Sequence, residues 1–236
     1  MQSRDRLIVA LDRSSRDEIL RLVDALHGVA GTFKIGLQAF IGNGPELVRE
    51  IVRRGEKVFL DLKIHDIPNT AKEAVDGVAL LGVTMTTVHA AGGTAMLRAS
   101  ARPDLLILGV TVLTSIDDAE FPRIGLGGTA VENAVRLARL SKECGLRGVV
   151  ASPDEITAIR EACGPELLIV TPGVRPAGSD ANDQRRTKTP AAAIAAGADY
   201  IVVGRPITDA PAPRDAALRI IERLDASLHK EPASSV

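Results

Sequence analysis

The sequence predicts an α/β fold, a single-domain (β/α)8 or TIM barrel, on three observations. Eight short apolar runs recur along the chain, and segments with helical periodicity lie between them. The length of 236 residues matches one such barrel, which usually takes about 250. The rival, a doubly wound open sheet with a dinucleotide site, would carry GxGxxG after its first strand. Here that strand ends in Ala10-Leu11-Asp12-Arg13, without a glycine cluster.

The strands are expected over Leu7–Leu11, Phe33–Leu37, Val58–Leu62, Met85–Val88, Leu105–Val112, Gly148–Ala151, Leu167–Val170 and Tyr200–Val203. These runs mostly lack polar alternation, as parallel strands covered on both faces do. The segment ILRLVDALHGV (19–29) has helical spacing, as does GTAVENAVRLARLSKECG (128–145), which closes on a C-cap glycine. Ser152-Pro153-Asp154-Glu155 reads as an N-cap serine followed by proline at the first helical position. The whole of 1–236 reads as one domain, with a long polar loop near 173–190 and a frayed tail near 230–236.

A formal net charge of −1 provides no basic field for nucleic acid or anionic lipid. Trp is absent and Phe and Tyr number four and one, too few for a base-stacking surface. No apolar stretch reaches the ~18 residues of a membrane span, and MQSRDR leads into a strand without a signal-peptide pattern. Cys144 and Cys163 are the only cysteines, in no CxxC spacing, which argues for a reducing compartment. The expectation is a cytoplasmic protein with no nucleic-acid or membrane partner. His27, His65, His89 and His229 show no metal-ligand spacing, so no metal site is expected.

Barrel active sites lie at the C-terminal ends of the strands, and the charges collect there. Strand one ends at Asp12, strand two carries Lys34, and strand three carries Asp61 and Lys63 with Asp66 just beyond. With period-two alternation, Asp61 and Lys63 share one face while Leu62 and Ile64 turn towards the helices. Taken singly, Lys34 could reach the surface over its buried stem and Asp12 could cap the next helix. Their joint occurrence at strand ends points to a site. Strands seven and eight run into TPGVRP, with Gly173 and Arg175, and VVGRPIT, with Gly204 and Arg205. Barrel phosphate sites form on these two loops. Glycines admit an oxyanion to the backbone, and arginines donate to it in pairs.

DLKIHDIPNT (61–70) resembles the signature of the orotidine 5′-phosphate decarboxylase family, D-x-K-x-x-D-I-P-N-T. The resemblance runs from Ala10-Leu11-Asp12 through Phe33-Lys34-Ile35-Gly36, Val110–Ser115 and Pro172–Pro176 to Val203-Gly204-Arg205. It includes GSDANDQRR (178–186), which looks like the family's phosphate-gripping loop. The resemblance implies a homodimeric barrel using no metal and no organic cofactor, which converts orotidine 5′-phosphate to UMP. It implies that Lys63 protonates C6 of the pyrimidine and that Asp61 lies beside the departing carboxylate. Asp66 and Thr70 would reach into the neighbouring subunit's site, and Asp12 and Lys34 would hold ribose hydroxyls. Thr114, or Ser115 beside it, would contact the pyrimidine. Gln184, Arg205 and the Gly204 amide would bind phosphate, with Arg175 lining the same region.

The chemistry agrees. Loss of CO2 from C6 leaves a carbanion with no adjacent carbonyl to delocalise it, so a cofactor-free enzyme needs a fixed cation close by. Two rivals are separable from this reading. A Mg²⁺-dependent sugar-phosphate decarboxylase or aldolase of the same barrel type would share D-x-K-x-x-D, but Lys34 would repel its metal. A non-catalytic nucleotide sensor would need the phosphate loops and not the Lys34, Asp61, Lys63, Asp66 set.

Overall fold

The structure is a computed structural model that describes residues 1–175 and 188–228. Eight parallel strands close in chain order: β1 (Leu7–Ala10), β2 (Thr32–Gly36), β3 (Val58–Ile64), β4 (Met85–His89), β5 (Leu106–Val110), β6 (Gly148–Val150), β7 (Leu168–Thr171) and β8 (Tyr200–Val203). The barrel expectation holds, and each strand falls on its predicted run. The α-helices are α1 (Ser3–Arg6), α2 (Arg16–Leu26), α3 (Leu37–Arg53), α4 (Pro68–Ala79), α5 (Gly93–Ser100) and α6 (Ala130–Glu143). They continue with α7 (Ile156–Cys163), α8 (Pro190–Ala195), α9 (Arg205–Thr208) and α10 (Pro213–Leu228).

Two apolar layers hold the barrel. Ile8, Phe59, Met85, Leu108, Val170 and Val202 fill its interior. Phe33, Ile35, Leu60, Val149, Ile169 and Ile201 face outward, and the helices cover them. Each side chain of this size, fully buried, contributes about 1.5–3 kcal/mol relative to exposure. The glycine expected to close α6 does so, Gly145 following it with a φ of 90°, and at its start the structure adds a capping box of Thr129 and Glu132. The start of α7 differs from expectation. Residues 153–155 form a turn and the helix begins at Ile156, because the buried Glu155 carboxylate accepts the Ser152 N–H at 2.9 Å.

Strand β3 departs from regular geometry where it matters. Leu60 pairs with Thr86 and Ile64 with Val88, so four steps along β3 span only two along β4. Bulges of this kind re-aim side chains beside active sites. Leu62 and Ile64 nevertheless pack on the outer core, as the alternation predicts. Among the described residues no helix is long and apolar enough to cross a membrane. Cys144 and Cys163 are buried free thiols.

Candidate active site

At the C-terminal ends of β1, β2 and β3 four side chains form a continuous charged row. The Lys34 ammonium lies 3.0 Å from Asp12 Oδ1 and 3.8 Å from Asp61 Oδ2. Lys63 Nζ donates to the same Asp61 Oδ2 at 2.7 Å. Gly36 makes the first of these contacts possible, since a Cβ there would stand 2.9 Å from Lys34 Nζ and 3.0 Å from Asp12 Oδ1. Burial by itself would raise the Asp61 carboxyl. The Lys34 and Lys63 charges, with hydrogen bonds from Lys63 and Thr87, outweigh that and hold it below its ordinary value.

Lys63 is the one non-glycine among the described residues with positive φ, at 51°. A left-handed conformation at such a side chain costs about 1–3 kcal/mol and persists only where its surroundings impose it. Thr87 supplies part of that constraint. Its hydroxyl accepts the Lys63 N–H at 2.8 Å and donates to Asp61 Oδ1 at 2.9 Å. Nothing in the run MTTVH marks Thr87 as more than a β-branched strand residue, so sequence reasoning missed it. Next to the row, burial lowers the His89 imidazole pKa, helped by His65 and Lys63; the His65 and His89 rings lie 5.3 Å apart.

The row borders a cavity of about 530 Å³, closed below by Phe59 and lined further round by Thr114, Gly173, Arg175, Gly204 and Arg205. Thr114 lines it and Ser115 does not. Arg175 is buried at the wall, and its N–H donates to Lys188 O at 3.0 Å. Gly173 has a φ of 73°, a conformation that suits glycine. Gly204 has a φ of −109° with a ψ of −106°, and a Cβ there would meet Ala10 Cβ at 3.5 Å and Ala10 O at 3.8 Å. Gln184 and the centre of the 178–186 motif lie outside the described residues.

Asp66 and Thr70 do not join this constellation. Both are exposed, neither lines the cavity, and Asp66 Oδ1 accepts the Ile67 N–H at 2.7 Å as the chain turns into α4. Among the described residues no group of three or more His, Cys, Asp or Glu side chains is arranged to hold a metal ion.

Fold and site together define a barrel enzyme with preset charges at one end of its pocket and anion donors at the other. A model of the orotidine 5′-phosphate decarboxylase / HUMPS family matches residues 5–220. The chain is 52% identical over 237 residues to the orotidine 5′-phosphate decarboxylase of Moorella thermoacetica, covering 95% of this chain and 94% of that one. It is 48% identical over 240 residues to that of Heliobacterium modesticaldum, covering 97% and 99%. The crystal structure of orotidine 5′-phosphate decarboxylase from Lactobacillus acidophilus superposes with a TM-score of 0.83 at 35% identity, covering 93% of this chain and 98% of that one. The chain belongs to the orotidine 5′-phosphate decarboxylase / HUMPS family.

Proposed function

We propose that this chain decarboxylates orotidine 5′-phosphate to UMP in pyrimidine biosynthesis, and that Lys63 is its proton donor. One observation carries the mechanism: the Asp61 carboxylate, with Lys34 and Lys63 both on Oδ2, stands at the edge of a cavity whose far wall carries Arg175 and Arg205. Gln184, Arg205 and the Gly204 amide bind the substrate phosphate with Arg175 lining the same region, the ribose hydroxyls meet Asp12 and Lys34, and Thr114 meets the pyrimidine. The C6–carboxylate bond breaks, its electron pair stays on C6, and a proton passes from Lys63 Nζ to C6 as CO2 departs.

Asp61 faces the substrate carboxylate. Two such charges about 4 Å apart repel by about 4 kcal/mol at an effective dielectric of about 20. Departure of CO2 removes that repulsion, and the phosphate contacts supply the binding energy that holds the substrate against it. A Mg²⁺-dependent reading fits less well, because two ammonium groups already occupy the Asp61 oxygen a metal would take.

The reading extends to the assembly. Asp66 and Thr70, exposed and outside their own pocket, reach the site of a second copy in a homodimer, where the 68% exposed Ile67 beside them is covered. A cytoplasmic setting is supported by the two free, buried thiols. The test is loss of orotidine 5′-phosphate absorbance with purified protein, before and after exhaustive dialysis against EDTA. Turnover that survives chelation supports the proposal. No turnover sinks it, and loss on chelation restored by Mg²⁺ favours the metal-dependent rival.

A further inference from the structure

We infer that Thr87 is a positioning residue for the decarboxylation, setting Asp61 and Lys63 against each other through one bridging hydroxyl. The inference rests on the functional reading above and adds to it a residue that touches no substrate: Thr87 is wholly buried beneath the charged row and does not line the cavity.

The hydrogen-bond polarity is fixed by the chemistry of the partners. A backbone N–H only donates, so the Thr87 hydroxyl must accept from Lys63 N. An ionised carboxylate only accepts, so the hydroxyl proton must go to Asp61 Oδ1. One hydroxyl therefore satisfies both groups, and each role leaves the other free. Oδ1 is tied to Thr87 while Oδ2 takes the two ammonium groups, which fixes the carboxylate plane. The Lys63 amide needs this acceptor because the β3–β4 register shift leaves the regular pairing between Leu60 and Ile64. Without it the left-handed turn at Lys63 loses a tether, and the ammonium moves relative to the place where C6 must lie.

The neighbouring threonines show what an ordinary structural hydroxyl does on this strand and just before it. Thr86 Oγ1 donates to Leu60 O at 2.8 Å and Thr84 Oγ1 to Val58 O at 2.9 Å, both along the regular ladder. Thr87 alone of the three reaches the bulge and the carboxylate. Thr86 is thus the control for Thr87.

The experiment compares wild type with Thr87→Val, Thr87→Ala, Thr87→Ser and Thr86→Val. It measures kcat and KM for orotidine 5′-phosphate, UMP affinity by calorimetry, and thermal unfolding. Valine keeps the shape and deletes the hydroxyl, alanine serves if valine does not fold, and serine restores the bridge. Thr87→Val or Thr87→Ala is expected to lower kcat on the order of 100-fold, the scale of a misplacement near 1 Å. UMP affinity should stay at the wild-type value, because the product has no C6 carboxylate to feel Asp61. Thr87→Ser should recover most of kcat, and Thr86→Val should lose stability with kcat unchanged.

A hydroxyl-free variant whose kcat stays within about tenfold of wild type overturns the inference. So does a kcat loss that runs parallel with lost UMP affinity and lost folding. A crystal structure of the Thr87→Val protein reads the geometry independently of activity. Lys63 φ and the Asp61–Lys63 contact should both change, and finding both unaltered overturns the inference. A wild-type protein inert towards orotidine 5′-phosphate overturns the functional reading instead, and the crystal structure still decides the role of Thr87.

Discussion

At the β1–β3 side of the pocket two carboxylates and two ammonium groups contact one another within 4.0 Å, and a buried threonine ties the last pair to the backbone. At the β7–β8 side Arg175 and Arg205 line the cavity beside Gly173 and Gly204. The first side is organised by protein contacts already in place. The second offers arginine donors and glycine backbone to an anionic ligand. Electrostatic catalysis needs its charges fixed before the reaction begins, since reorganising them during it would raise the barrier. Binding energy, in contrast, is gained only when the phosphate arrives. Lesions on the two sides should therefore differ in kind as well as in size.

The largest effect should come from Lys63→Ala, which removes both the cation and the proton. We expect kcat/KM to fall by about 10⁴-fold or more, with the circular dichroism spectrum of the wild-type fold retained. Activity within tenfold of wild type would remove Lys63 from the proposed role and leave the preset side without a catalyst.

A second test asks whether the preset side is complete within one chain. Asp66 stands outside its own pocket, so Lys63→Ala and Asp66→Asn proteins, each expected to be nearly inactive, are mixed under conditions that would exchange the subunits of the proposed homodimer. In a hybrid dimer one site carries both lesions and the other carries none. Random mixing makes about a quarter of all sites intact by two-fold symmetry, and activity should rise towards that fraction. A mixture as inactive as its parents, with exchange verified, would place Asp66 in its own subunit's chemistry.

The ligand-dependent side predicts a smaller and conditional loss. Arg205→Ala should weaken kcat/KM for orotidine 5′-phosphate by about 3 kcal/mol, the upper range for a hydrogen bond to a charged group. The slow reaction of unphosphorylated orotidine should hardly change, because the deleted contact exists only with phosphate. Equal losses on both substrates would move Arg205 to the preset side and erase the contrast.

The same contrast explains what could be read in the sequence. All eight strands were legible, because a parallel strand buried on both faces leaves an unbroken apolar run. The charges ending those runs were legible for the same reason: Asp12, Lys34, Asp61 and Lys63 interrupt hydrophobic segments where burial would otherwise exclude them. What escaped notice depends on groups distant in sequence. Thr87 matters through partners 24 and 26 positions away, and Gly36 through the room it leaves for Lys34 and Asp12. The left-handed turn at Lys63 breaks the ideal alternation, yet Asp61 and Lys63 still meet because the bulge returns both to the pocket face. Ser152 misled as a helix cap because Glu155, three residues on, takes its N–H with a carboxylate.

The smallest predicted effect tests the preset side through stability alone. Asp61 has its pKa lowered, so the stabilisation from its ionised contacts is fully present above the unfolded carboxylate value of about 3.9. It is lost as pH falls through the still lower folded value. Asp61→Asn cannot ionise, and it leaves Lys34 and Lys63 close together without the carboxylate they share. The wild type should therefore exceed this variant in unfolding free energy at neutral pH by on the order of 1 kcal/mol. That is below the cost of breaking a fully buried pair, because the Lys63 side chain is 31% exposed. Urea titrations from neutral to acid pH read the difference directly. It should stay level down to about pH 5 and shrink below about pH 4, as wild-type Asp61 becomes protonated. A difference that grows on acidification, or one already lost by about pH 6, would mean that the row does not hold Asp61 ionised. The charges would then be assembled by the substrate, and the two sides of the pocket would be built alike.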